Sequence, residues 1–415
     1  MLTAVGVVAF VVALLVSVTL HEAGHFVTAR HYGMKATQFF VGFGPTLWSR
    51  QKGETEYGIK AIPAGGFVKI VGMTTLDEVD PGDEDRAFWR QPAGRRTVVL
   101  SAGSFMHFVI AALLVFGTTA LLGVQDRDQP VISGPKPCMA QVVTIATTAL
   151  PSSTPDASGA CPAGTIPSPA FAAGLRNGDR VLFAGGQKVT DYTAFTKVVR
   201  ASAAQPLVLV VERDGRRQSV TLTPVKAIRV DLADPRNSVE VGAVGVGQNI
   251  TTLRHVAPLA AVGETGTQLK AIVVGTYETL TKKLGTVAGV YGDHRDPAGF
   301  VGIVGVSRVS GEVFDAPVPF ASRLAGFLLI VAGLNLFVGI FNLLPLLPLD
   351  GGHIAVLLYE QARDKVRRLF GYAGELQRVD LNKLLPLTYA VVIFFAVFTV
   401  FLMGADIVNP VKLGG

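Results

Sequence analysis

Five consecutive residues near the start of the chain have the types and spacing for metal chemistry: His21-Glu22-Ala23-Gly24-His25, the pattern H-E-x-x-H. On a helix, residues four apart lie one turn above each other, so both imidazoles can hold one Zn²⁺. Glu22 sits on the same flank and can reach a water at the ion. The plain alternative is a helix end whose two histidines meet cytoplasmic water. Position argues against it, because the pentapeptide lies at the inner end of an unbroken apolar helix and Phe26-Val27 continue beyond it. Ionisable groups at membrane depth are costly unless partnered, and three in five residues imply use.

A catalytic zinc needs a third protein ligand and an open position. The apolar run over 321–349 holds no acid, and Asp350 follows in Asn342-Leu-Leu-Pro345-Leu-Leu-Pro-Leu-Asp350-Gly351-Gly352. Pro345 and Pro348 cannot continue a helix without freeing backbone groups. Broken backbone within a membrane is tolerated only where protein or a watery cavity surrounds it. The break is therefore expected to aim Asp350 into the bundle, although taken singly it also reads as an ordinary interfacial residue after a turn.

The elements that must position these groups follow from composition. Of the residues, 49% are hydrophobic and 16% charged, against about 25% charged in an average soluble domain. Four stretches, 2–29, 97–124, 321–349 and 386–408, reach the roughly 20 apolar residues a spanning helix needs. The first has neither the basic lead nor the small-residue cleavage site of a signal peptide, and is read as retained. The net charge of +6 does not imply nucleic acid, because the cations cluster beside the spans. Arg30, Lys35, Arg86, Arg90, Arg95 and Arg96 follow the first, and Arg363, Lys365, Arg367, Arg368, Arg378 and Lys383 crowd the loop before the last. Short loops rich in Lys and Arg stay cytoplasmic, so both loops are placed inside and the long segment between spans two and three outside.

Two alternating runs flank Lys52-Gly53 over 41–62, a hairpin signal. The acidic patch 77–85 has no helical period and reads as a solvated loop. The outer segment opens with a Pro/Ser/Thr/Ala/Gly-rich stretch, 151–169, too poor in apolar residues for a core. Ser168-Pro-Ala-Phe-Ala-Ala-Gly-Leu175, Asn177-Gly-Asp179 and two strands around Asp214-Gly215 follow; this segment resembles a PDZ domain. Cys138 and Cys161 both fall outside, either as two free thiols or as a disulfide closing a loop of about 20 residues, worth roughly 3 kcal/mol. Leu269, Ile272, Val273, Tyr277, Leu280, Leu284 and Val287 recur at helical spacing. Such a helix packs on the PDZ-like segment or lies on the outer membrane surface.

Together, H-E-x-x-H and N-x-x-P-x-x-x-x-D-G resemble the site-2 protease family, in order and on the expected spans. The hairpin is similar to that family's membrane-associated β-loop, and Gly299-Phe-Val-Gly-Ile303 also matches. The resemblance implies an α-helical polytopic membrane protein with about four transmembrane helices, a membrane-associated β-hairpin and an inserted extracytoplasmic α+β PDZ domain. The expected division is 1–30, first helix; 31–96, cytoplasmic loop with hairpin; 97–124, second helix; and 125–250, PDZ domain. An amphipathic linker, 251–320, the third helix, 321–352, a cytoplasmic loop, 353–385, and the fourth helix, 386–408, complete it. It further implies a zinc endopeptidase of the cell membrane, with its active site towards the cytoplasm, in the branch that cuts membrane-bound anti-sigma factors. His21, His25 and Asp350 would hold Zn²⁺ and Glu22 would be the base. Asn342 would hold substrate backbone or the developing oxyanion, and the hairpin, with Gly42 and Gly44, would add the substrate as a strand.

One departure stands out. Where the family has Ala-Gly-Pro-x-x-Asn, this chain has Ala102-Gly103-Ser104-Phe105-Met106-His107. His107 is read as a donor to substrate, a neighbour of the zinc, or a histidine hydrogen-bonded between packed helices. His31, His255 and His294 read as incidental, as does His353, for which a place behind the metal ligands, after Gly351-Gly352, is the alternative. A membrane scaffold with a PDZ domain leaves Glu22 between its histidines unexplained, and a metal transporter leaves the PDZ-like segment and hairpin without a task.

Overall fold

The computed structural model describes residues 2–73, 79–125, 129–144, 152–232, 237–249, 253–292, 295, 299–316, 318–372 and 379–411. Asp77, His294 and Arg378 lie outside them.

Helix α1 (Leu2–His31) is apolar along most of its length and carries the histidine pair about one and a half to two and a half turns before its basic end at Arg30-His31. Strands β1 (Ala36–Lys52) and β2 (Thr55–Ile70) form a hairpin longer than the expected 41–62, turning at Gly53-Glu54. It is bent: residues 38–41 pair on one side with 66–69 and on the other with 56–59, while 46–52 pair with 55–60. Gly42 and Gly44 sit at the bend with φ of 90° and 83°. A side chain at Gly42 would meet the carbonyls of Lys60 and Ile62 at 2.9 and 2.8 Å, so backbone crowding accounts for its being glycine. The described part of the acidic patch is tied down more than its sequence suggests. Asp83 pairs with Lys35, and Arg86 reaches back to Glu54 with both guanidinium nitrogens.

Helix α2 (Ala93–Gly117) begins four residues earlier than expected and runs into a π turn over Thr118–Leu122. The segment that follows holds β3 (Val124–Gln125), β4 (Cys138–Ala140), β5 (Thr165–Pro167), α3 (Pro169–Ala172), β6 (Arg180–Ala184), β7 (Gln187–Lys188) and α4 (Tyr192–Ala201). It continues through β8 (Leu207–Arg213), β9 (Arg216–Leu222), β10 (Val225–Val230), β11 (Ser238–Ala243) and β12 (Leu253–Arg254). Its main sheet has the order β7-β6-β8-β9. Phe195 of α4 packs on Val181, Leu209 and Val211 in a single core. Ser168 caps α3 and Asp191 caps α4 through the N–H of Ala194, as short polar side chains do at helix starts. The Ala194 N–H holds the Asp191 carboxyl below its ordinary range. Asp179, of the Gly-Asp pair, is buried and receives Arg213 at 2.6 and 2.7 Å. Cys138 and Cys161 form a disulfide.

Helix α5 (Pro258–Lys282) follows. Neither placement expected for it is found: Leu269 and Ile272 pack against Ala111, Val115, Ala332 and Leu336 of the membrane bundle. Gln268 also donates to Thr119. Tyr277, on the same predicted stripe, is exposed. The linker read over 251–320 is thus largely helical, because α6 (Ile303–Asp315) also lies within it and meets α1 where Gly6 faces Ser310 and Gly311.

Helix α7 (Phe320–Asn342) stops at Asn342 rather than near Leu349, and Asp350 opens a separate helix, α8 (Asp350–Leu369). The loop read over 353–385 is therefore mostly α8. The prolines explain the break, and Gly351-Gly352 permit its tightness: a Cβ at Gly351 would strike the backbone of Leu343 and Leu344, and one at Gly352 would lie 2.6 Å from Leu347 N. Helix α9 (Leu385–Val408) ends beside the Gly299–Ile303 turn. There buried Asp406 accepts the N–H groups of Gly302 and Gly305 at 3.3 and 2.7 Å and Arg295 at 2.6 Å. Helices α1, α2 (with its π turn), α7 and α9 are each long and apolar enough to cross a membrane.

Candidate active site

Helices α1, α2 and α8 meet about 9 Å (six residues of helix) from the end of α1. His21 Nε2 and His25 Nε2 are 3.2 Å apart, and Asp350 Oδ2 lies 3.6 Å from the first and 3.5 Å from the second. Tetrahedral zinc with ligands near 2.0–2.1 Å requires ligand–ligand separations of about 3.3 Å. The donor set fits this ion without rearrangement. His21 and His25 are buried and Asp350 is half-buried. These three are the only potential metal cluster among the described residues.

The surroundings favour ligation over mutual hydrogen bonding. His25 Nδ1 lies 2.7 Å from the carbonyl of Val99; only an N–H there can donate to it, which leaves Nε2 with its lone pair towards Asp350 and His21. Ser104 donates to Asp350 Oδ2 at 3.4 Å. Gly103 makes the cradle: a Cβ at that position would collide with His25 Nε2 and lie 2.5 and 2.7 Å from Cε1 and Nδ1 of His21. Only a residue without a side chain lets α2 approach the pair.

Glu22 stands beside this cluster, facing the far edge of β2. Its Cγ lies 3.3 Å from where a Cβ on Gly66 would be, and the Val68 N–H donates towards its carboxyl. The edge that borders the site is therefore 66–70, outside the 41–62 stretch on which the hairpin signal rested. Gly42 and Gly44 contact Lys60 and Ile62 of the bent hairpin. Asn342 is the last, half-buried residue of α7.

His107 lies beside the metal cluster and is also hydrogen-bonded between packed helices. Its ring centroid is 5.0 Å from that of His21, but its Nδ1 is hydrogen-bonded to Asn335 Oδ1 at 2.8 Å. Asn335 in turn donates to Ser17 at 3.0 Å and to the Val331 carbonyl at 2.9 Å, joining α2, α7 and α1. Asn335 and the Val99 carbonyl were not singled out from sequence, and Gly103 and Ser104 entered only as members of the Ala102–His107 motif, without a role. The signal for Asn335 was present, as an amide inside an apolar span rarely lacks a partner.

A zinc-fitting donor triad with an adjacent glutamate, set among membrane-length helices, defines a membrane-embedded metallohydrolase. The chain belongs to Peptidase family M50, whose pattern matches residues 9–374. It is similar to zinc metalloprotease Rip1 of Mycolicibacterium smegmatis and of Mycobacterium tuberculosis. Each is 37% identical over 424 residues, covering all of both chains. The chain is thus a zinc-dependent metalloprotease of a multi-pass membrane type.

Proposed function

We propose that the protein is an intramembrane endopeptidase that cuts single-span membrane proteins, anti-sigma factors among them, within or near their membrane segment. The observation that carries this is the convergence of His21, His25 and Asp350 at zinc-ligand spacing with Glu22 alongside. In this reading the first three hold Zn²⁺, which when bound would acidify water and polarise a scissile carbonyl. Glu22 takes the proton of the attacking water and returns it to the leaving amine. Val99 and Ser104 orient His25 and Asp350. His107 and Asn335 lock the helices that carry the site.

A helical substrate hides its peptide bonds and must be extended first. The edge of β2 over 66–70, paired on its other side with 38–41, is placed to take up such a strand beside Glu22. Asn342, Gly42 and Gly44 are candidates for substrate contact from the resemblance, and His107 from its place at the end of the Ala102–His107 motif. The segment 125–250 is read as an extracytoplasmic PDZ domain that admits substrates already trimmed outside, with the active site open to the cytoplasm. Ser168, the Ala-Gly-Leu run and buried Asp179 support the domain reading. Cleavage that stays confined to pre-trimmed substrate after deletion of 139–225 would remove the gatekeeping role.

The test of the whole reading is Glu22→Ala. Purified protein should keep its zinc, and cells carrying the variant should accumulate trimmed membrane stubs. Continued turnover in that variant would defeat the proposal.

A further inference from the structure

Helix α8 has a face that none of the described residues covers. At 100° per residue, Leu358, Tyr359, Ala362, Val366 and Leu369 fall within an arc of about 100°, and all five are exposed, Leu369 at 76%. The protein-facing side lies opposite. There Leu357 is buried in the core with Val99 and Leu100, and buried Glu360 pairs with Arg96 of α2 and accepts the Val379 N–H. Arg363 and Lys365 flank the apolar arc on its two sides, Arg367 and Arg368 add charge, and exposed Phe370 and Tyr372 extend the arc past the helix end.

Length decides what covers this face. From Asp350 to Leu369 the helix runs about 28 Å, whereas α1 ends only about 9 Å beyond His25. If α8 pointed straight out, Val366, Leu369 and Phe370 would stand in water well past the membrane surface. Laid along the interface, the same residues enter the acyl boundary while the flanking cations meet headgroups, the geometry of an interfacial amphipathic helix.

We propose that the carboxy-terminal half of α8 docks on the inner membrane surface and binds anionic lipid headgroups, so that lipid composition bears on the helix whose first residue is Asp350. This rests on the membrane orientation given above. Each cation near an anionic leaflet favours the docked helix by about fivefold.

The test uses the full chain with Leu369→Cys carrying an environment-sensitive dye; the native cysteines are paired and do not compete. It is placed in vesicles of phosphatidylcholine alone or with phosphatidylglycerol. Dye emission should be blue-shifted and quenched by brominated lipid, more strongly with phosphatidylglycerol and less at high salt. Lys365→Gln, Arg367→Gln and Arg368→Gln together should abolish the phosphatidylglycerol dependence, and Val366→Asp should return emission towards its value in water, both with zinc content unchanged. Water-like emission in every vesicle overturns the proposal. So does a blue shift that brominated lipid does not quench, which would assign the face to a second copy or another protein. Loss of proteolysis with docking intact would instead count against the functional reading.

Discussion

Gly103→Ala puts one methyl group where the structure has none to spare. The new carbon would stand 2.5 Å from His21 Cε1 and 2.7 Å from His21 Nδ1, with His25 Nε2 nearer still. Ordinary carbon–nitrogen contact lies near 3.5 Å, so relief requires a shift of about 1 Å in the imidazoles or in α2. A metal site tolerates only about ±0.2 Å in its ligand distances. The expected result is a fall in zinc affinity of at least 100-fold, together with overpacking that costs about 1–3 kcal/mol. Metal analysis after dialysis against a graded chelator reads the first, and thermal unfolding in detergent reads the second. Gly94→Ala is the control on the same helix, since a Cβ there meets nothing within 4 Å; it should leave zinc binding intact. Stoichiometric zinc in Gly103→Ala at wild-type affinity would refute the argument that α2 closes the metal cradle.

Asn335→Ala strands the buried Nδ1 of His107, and unfolding should show a loss of about 1–3 kcal/mol; an unchanged melting temperature would mean the His107–Asn335–Ser17 chain is not structural. Reducing Cys138–Cys161, which spans 23 residues, should destabilise the segment between spans two and three by about 3 kcal/mol, measured as a shift in protease resistance of that segment alone. Because the folded state depresses the Asp191 carboxyl, its contribution to stability is present above the ordinary carboxylate range and lost as pH falls through the lowered value. Asp191→Ala should therefore flatten the acid limb of that segment's stability profile, and an unaltered limb would contradict this. Val68→Pro removes the N–H directed at Glu22, and substrate turnover should fall while zinc content holds; equal loss of both would point to general damage.

The metal triad was readable from two local rules together with the resemblance that joins the two motifs. A four-residue spacing on a helix stacks His21 on His25, and Pro345 and Pro348 forbid the apolar run from continuing, which turns Asp350 inward. Residues whose importance lies in contact across helices were not readable in the same way. Gly103 matters only because α2 crosses α1 at the histidines, and the Val99 carbonyl carries no side-chain signal at all. The hairpin turn at Gly53 was plain, yet the double pairing of 38–41 depends on a bend at Gly42 and Gly44 that alternation does not encode. That bend is why the edge beside Glu22 is 66–70. Asp406 is an acid inside an apolar span that was not singled out, and its partners Arg295, Gly302 and Gly305 lie more than 100 residues away. For α5, helical spacing signalled a helix from Leu269, but the element starts at Pro258 and ends at Lys282, before Leu284 and Val287, and its seat against α2 and α7 came from tertiary packing.

X-ray absorption at the zinc edge of the purified chain, compared with Asp350→Ala, bears most directly on the central claim. Two imidazole nitrogens and oxygen at about 2.0–2.1 Å are predicted, with oxygen coordination altered and affinity reduced in the variant. An identical spectrum and undiminished affinity in Asp350→Ala, or sulfur in the coordination sphere, would contradict it.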